Sequence, residues 1–123
     1  MENHKANPQL ENGYVRIANE LFEAMGKYPF NGAELKILIV VIRLTYGWGL
    51  KQNVISFSKL AYLSALDARH TKRVVKRLAQ DKVLIKYKQQ RNNILGVNKD
   101  YISWRLWKTQ NISDQFATTR VVV

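Results

Sequence analysis

Residues 67–82 read DARHTKRVVKRLAQDK, and their pattern decides the fold. At about 100° per residue, Arg69, Lys72, Arg73 and Lys76 fall on one side of a helix. Thr71, Val74, Val75 and Leu78 fall on the other. The apolar stripe requires a core to bury it. The basic stripe then faces outward as an ordered array of positive charge. Asp67 occupies the N-cap position, where its carboxylate can accept from the free N–H groups of the first turn. A capped basic helix pinned to a small domain points toward nucleic acid.

The neighbours of this helix extend the reading. Residues 57–64 form a shorter helix with Phe57, Leu60, Ala61 and Leu63 expected inward and Ser58 and Lys59 outward, and Ser56 is placed to cap it. Two short helices joined by a tight turn, the second basic, make a helix-turn-helix. Downstream, Val83 to Lys88 reads as a strand, Gln89 to Asn93 as a polar turn and Ile94 to Val97 as the return strand. A hairpin directly after a recognition helix is the wing of a winged helix. Its Lys86, Lys88 and Arg91 continue the charge of the helix.

Upstream, residues 1–13 are polar and read as a loose arm. Ile17, Leu21, Phe22 and Met25 recur at helical spacing, so a first helix is placed near 16–27, ended by Lys27-Tyr28-Pro29-Phe30. Asn31 and Glu34 have the spacing of a capping box. Residues 32–46 are rich in β-branched side chains, which would suit a strand. The length of the run, its lack of alternation and its cap favour a helix, apolar nearly all round and therefore the most buried. Tyr46-Gly47-Trp48-Gly49 breaks it, and a short strand within residues 51–57 leads into Ser56. The fold class is α+β, mainly α with a small β-hairpin: a winged helix-turn-helix over residues 14–104, followed by a tail or linker over 105–123.

The 123 residues suit one domain with tails, and a modest core. The net charge of +11 is concentrated. Residues 67–91 carry nine basic and two acidic groups, net +7, whereas residues 1–34 carry three basic and five acidic, net −2. A charge serving solubility would be more diffuse. The absence of cysteine excludes disulfides, thiolate metal sites and cysteine nucleophiles, and is compatible with a cytoplasmic setting. The polar start has no secretory pattern, and the longest apolar run, Ile37 to Ile42, is far short of the roughly 20 residues of a membrane span. There is no P-loop, no metal-ligand cluster and no paired catalytic groups, so no enzyme activity, cofactor or metal is expected.

The runs ENGYVRIANELFEA, AELKILIVVIRLTYGW, ISFSKLAYLSALDARHTKRVVKRLAQDKVL and GVNKDYISW, in that order, resemble the N-terminal domain of the bacteriophage replication protein O family, the lambda-type origin-binding initiators. The likeness covers residues 11–104. It implies a winged-helix domain that binds repeated duplex sites in a phage or prophage replication origin, commonly as a homodimer on inverted half-sites, in the cytoplasm of a bacterial host. It also implies a helicase-loading partner engaged by a separate C-terminal region. With the chain ending at Val123, the expectation is an isolated DNA-binding fragment or a truncated prophage copy. One departure concerns the turn of the helix-turn-helix, where Ala65 stands in place of the frequent glycine; a left-handed backbone there costs about 1 kcal/mol.

Each basic residue has an alternative reading as a solvated face. No acid lies between Asp67 and Asp81 to supply the usual helical pairing, which favours DNA contact for the stripe. Arg69 and Arg73 are assigned to base edges, since their fork suits guanine O6 and N7. Lys72, Lys76 and Arg77 are assigned to phosphates. His70 lies between the stripes as a DNA contact or a half-exposed residue with no role. Lys86, Lys88, Arg91 and Asn92 are assigned to the backbone or minor groove. Ser56, Ser58 and Lys59 begin a helix whose N–H groups suit a phosphate, although Ser56 reads equally as a plain cap. Tyr46, Trp48 and Trp104 are assigned to the core rather than to base stacking. Arg16 and Arg43 are either phosphate ligands or partners of Glu20, Glu23 or Glu34. The leading function is sequence-specific duplex binding in replication initiation. The alternatives are a transcriptional regulator on a promoter operator and a winged helix used for protein interaction.

Overall fold

A computed structural model describes residues 5–108. Four helices, α1 (Asn19–Lys27), α2 (Gly32–Thr45), α3 (Phe57–Ser64) and α4 (Ala68–Gln80), combine with three strands, β1 (Gln52–Val54), β2 (Leu84–Gln89) and β3 (Asn92–Val97). The strands form one antiparallel sheet in the order β1-β3-β2. The class is α+β. Beyond the expected hairpin, β1 pairs with the free edge of β3, Asn53 opposite Leu95.

Helix α2 is the centre of the packing, against α3, α4 and β3. Its start is fixed by the capping box: Asn31 Oδ1 accepts from the Glu34 N–H at 2.8 Å, and Glu34 Oε1 accepts from the Asn31 N–H at 2.9 Å. Ile37, Leu38, Val40, Val41, Ile42 and Leu44 are all buried. Burial on this scale, about 1.5–3 kcal/mol per large aliphatic side chain, overrides the β preference of the branched residues. Thr45 is also buried and donates its hydroxyl to the Val41 carbonyl at 2.7 Å.

Helices α3 and α4 end in the same way. The Leu66 N–H reaches the Ala61 carbonyl at 3.1 Å, and the Val83 N–H reaches the Leu78 carbonyl at 2.9 Å. The residue before each is left-handed, Ala65 at φ 58° and Lys82 at φ 65°. These are Schellman closures without glycine. The first holds α3 and α4 at a tight turn, and the second feeds α4 into β2.

Several expectations are corrected. Helix α1 begins at Asn19, not near residue 16, because Ala18 is extended at ψ 139°. Val15 and Ile17 still pack on the core, but with the period-two alternation of an extended segment. The inward stripe of α1 is Leu21, Ala24 and Met25; Phe22 is exposed. In α3 the buried position is Ser64 rather than Leu63, and its hydroxyl donates to the Leu60 carbonyl at 2.7 Å, so a polar residue is buried at little cost. The hairpin turn is only Gln90-Arg91, with Gln90 at φ 60° as a two-residue connection requires. Trp48 is 66% exposed and outside the core, because the break after α2 is a single 3-10 turn, Tyr46–Trp48, ending at Gly49 with φ 71°.

Trp104 is core, as expected. Its Nε1–H donates to the Asn98 carbonyl at 2.9 Å, and its ring meets Tyr28, Phe30, Tyr101 and Trp107. Of the tail expected from residue 105, the first residues pack on this body: Arg105 Nε donates to Asp81 Oδ1 at 2.7 Å, and the Leu106 N–H donates to the Tyr28 hydroxyl at 3.1 Å. The remainder of that tail, and the first four residues of the arm with His4, lie outside the described residues. No helix among the described residues is long and apolar enough to cross a membrane.

Candidate nucleic-acid interface

Helix α4 presents the two faces its sequence contains. Thr71, Val74, Val75 and Leu78 are buried, and Arg69, Lys72, Arg73, Lys76 and Arg77 are exposed. His70 is intermediate between them. Asp67 caps the helix by accepting from the His70 N–H at 2.7 Å. That hydrogen bond, helped by the charge of Arg73, holds the Asp67 carboxyl below its ordinary value of 3.8.

The exposed face is poorly arranged for stability. Arg69–Arg73, Lys72–Lys76 and Arg73–Arg77 are like charges four residues apart, each costing a helix roughly 0.2–0.5 kcal/mol. Arg69 lies in the first turn, where the positive end of the helix dipole disfavours a cation. Local rules broken together on one face are what a functional surface is expected to show. Two of the cations have neighbours from other elements. Arg77 Nη1 lies 3.5 Å from Glu34 Oε2, with Arg77 half exposed, and Lys72 Nζ lies 5.8 Å from the Phe57 ring centroid. Glu34 thus belongs to Arg77 rather than to Arg16 or Arg43. Glu20 accepts a short hydrogen bond from the Tyr101 hydroxyl, and Arg43 lies over the Trp48 ring.

The hairpin divides its candidates between two faces. Lys86 and Lys88 share a face of β2 with buried Leu84, opposite Leu95 and Asn93 of β3. Leu84 joins the core on which α4 packs, and the two lysines follow it along the exposed length of the strand. Asn92 shares the opposite face with Gln89, and Arg91 is at the tip. At the start of α3, Ser56 Oγ accepts from the Lys59 N–H at 3.1 Å, which makes it a cap; Ser58 and Lys59 are exposed beside it. Tyr62, one turn further along that exposed face, is 84% exposed. Nothing in the spacing of α3 singles it out, since a lone tyrosine in an amphipathic helix reads as boundary packing.

The sequence profile of the family described as Bacteriophage replication protein O matches residues 6–104. The chain belongs to this family. It is 36% identical over 101 residues to "Replication protein 15" of Enterobacteria phage phi80, covering 82% of this chain and 33% of that protein. It is 26% identical over 95 residues to "Replication protein O" of Escherichia phage lambda, covering 77% and 27%. The chain thus spans about a third or less of the length of these curated relatives. No solved structure matches it. The stretch shared with the family holds both helices of the basic motif and the hairpin, so the candidate interface lies wholly within it.

Proposed function

We propose that this chain is a winged-helix domain that binds duplex DNA at repeated sites of a phage replication origin and serves replication initiation. Helix α4 enters the major groove as the second helix of a helix-turn-helix, and the β2–β3 hairpin is the wing along the backbone. The observation that carries this reading is the α4 face: five exposed cations on a helix whose opposite face is fully buried, followed in the chain by a hairpin with exposed Lys86, Lys88 and Arg91. The family membership supports replication over transcription as the setting.

Arg69 and Arg73 read base edges, while Lys72, Lys76, Lys86, Lys88 and Arg91 neutralise phosphates. The N-terminal turn of α3, with Ser58 and Lys59, holds a phosphate through its N–H groups. Arg77 is divided between Glu34 and the DNA backbone. A single module of this kind buries only about 600–1,000 Å² of protein surface, which favours paired copies on inverted half-sites.

The test is selection of bound sequences from a random duplex pool, repeated with Arg69→Ala and Arg73→Ala. Each substitution should cost about 1–3 kcal/mol and relax the selected sequence at particular base pairs. Retention of both affinity and sequence preference by both variants would overturn the assignment and favour a protein-interaction role.

A further inference from the structure

Away from α4, a second surface combines cations with exposed apolar side chains. Trp48 projects from the turn after α2, with the Arg43 guanidinium 5.7 Å from its ring centroid. Arg43 reaches this position across Gly47, where an added Cβ would come within 2.8 Å of Arg43 Nη1. A larger residue there would oblige the flexible Arg43 guanidinium to shift. Between this pair and α3 runs a groove of about 490 Å³ lined by Leu44, Trp48, Leu50, Asn53, Val54 and Lys59.

Beside the groove, the sheet also exposes apolar side chains. Val54 lies opposite Ile94, which lies opposite Tyr87, so Val54 and Tyr87 share the sheet face turned away from the helices. Tyr87 is fixed there by a 2.7 Å hydrogen bond from its hydroxyl to Gln52 Oε1. Trp48, Leu50, Val54 and Tyr87 are each exposed. Single exposed apolar residues are ordinary, but a run of them around a groove marks an interaction surface.

Its charge selects the occupant. Residues 35–66 contain four basic and no acidic residues. Lys59 lines the groove, Arg43 borders it through Trp48, and Lys51 follows Leu50. Exposed apolar side chains distinguish this surface from α4: phosphate contact alone would leave Trp48, Leu50 and Val54 in water, whereas apolar side chains would cover them.

We infer that this groove docks a short acidic segment of another protein. Its apolar side chains would pack against Trp48, Leu50 and Val54, and its carboxylates would face Arg43, Lys51 and Lys59. The inference does not rest on the duplex-binding reading of α4, and it shares only Lys59 with the phosphate contact proposed at the start of α3.

The experiment is selection from a random peptide library on the immobilised full chain, followed by titration of the enriched peptides against the parent, Trp48→Ala and Leu50→Ala. Both substituted side chains are substantially exposed, so the variants should keep the parental circular dichroism and melting temperature, which is verified first. The expected result is enrichment of peptides with aromatic or aliphatic residues among aspartates and glutamates. Their affinity should fall at least tenfold in Trp48→Ala, a substitution that leaves duplex binding unchanged, and severalfold when salt is raised to 0.5 M. The inference is overturned if no peptides are enriched above a protein-free support, or if the enriched peptides bind both variants as well as the parent. It is also overturned if Trp48→Ala weakens duplex binding tenfold, which would assign the groove to DNA.

Discussion

Glu34 serves two structures at once, and two substitutions separate them. One carboxylate oxygen accepts from the Asn31 N–H and closes the capping box of α2, and the other lies 3.5 Å from Arg77 of α4. Glu34→Ala removes both. Loss of a cap interaction costs about 1 kcal/mol, and an ion pair with a half-exposed arginine adds roughly 0.2–1 kcal/mol. The sum is about 1–2 kcal/mol, which for a domain of this size lowers Tm by about 4–15 °C. Glu34→Gln keeps an acceptor for the Asn31 N–H, since glutamine also closes such boxes, and forfeits only the charge. It should lose under about 1 kcal/mol. Thermal and urea denaturation of the three proteins measures both effects. Equal losses in the two variants would show that charge rather than the cap is what Glu34 contributes, and a Glu34→Ala protein that melts with the parent would refute the capping argument altogether. Glu34→Gln also releases Arg77. If Arg77 then reaches a phosphate, the variant binds duplex more tightly at low salt, and its salt dependence steepens by up to about 0.9 in slope.

Three further outcomes follow from particular residues. Thr71 Oγ1 is buried with no hydrogen-bond partner among the described residues, so Thr71→Val should raise stability by about 1 kcal/mol in urea unfolding, and a loss would contradict this. Ala65 is exposed at φ 58°, so Ala65→Gly should stabilise by about 1 kcal/mol; unchanged or lower stability would remove strain from the account of the turn. Asp67 has a depressed folded pKa, so its cap contribution is present above its ordinary 3.8 and is lost as pH falls through the lower folded value. Asp67→Asn keeps a cap that does not titrate, and should flatten the acid limb of the stability profile below about pH 4; an identical acid limb would exclude Asp67 as a contributor.

Features governed by local periodicity were legible in the sequence. The two faces of α4, its Asp67 cap and the Asn31–Glu34 box depend on residues three or four apart, and each has the geometry its spacing implies. Helix α2 was legible because its length and cap outweighed its β-branched composition. Where two periods fit the same few residues, the reading erred: Val15 and Ile17 suit either the end of a helical stripe or an alternating strand-like segment, and they form the latter. Leu63 was placed inward on hydrophobicity, but helix phase favours Ser64, whose hydroxyl is satisfied by its own helix. Long-range pairings were not legible. Arg77 and Glu34 are 43 residues apart, and nothing local announces their contact or the pairing of β1 with β3. The division of the hairpin candidates, with Lys86 and Lys88 on the face of Leu84 and Asn92 opposite, follows from a register that the expected longer turn obscured.

The most direct test of the central claim is a duplex-binding titration across salt concentration, comparing the parent with a Lys72→Ala, Lys76→Ala double variant. If about five phosphates are neutralised, log K should fall against log salt with a slope near −4 to −5, and the double variant should make that slope shallower by about 2. A parent affinity flat between low and moderate salt, or a slope the two substitutions leave untouched, would contradict the assignment of the α4 face to DNA.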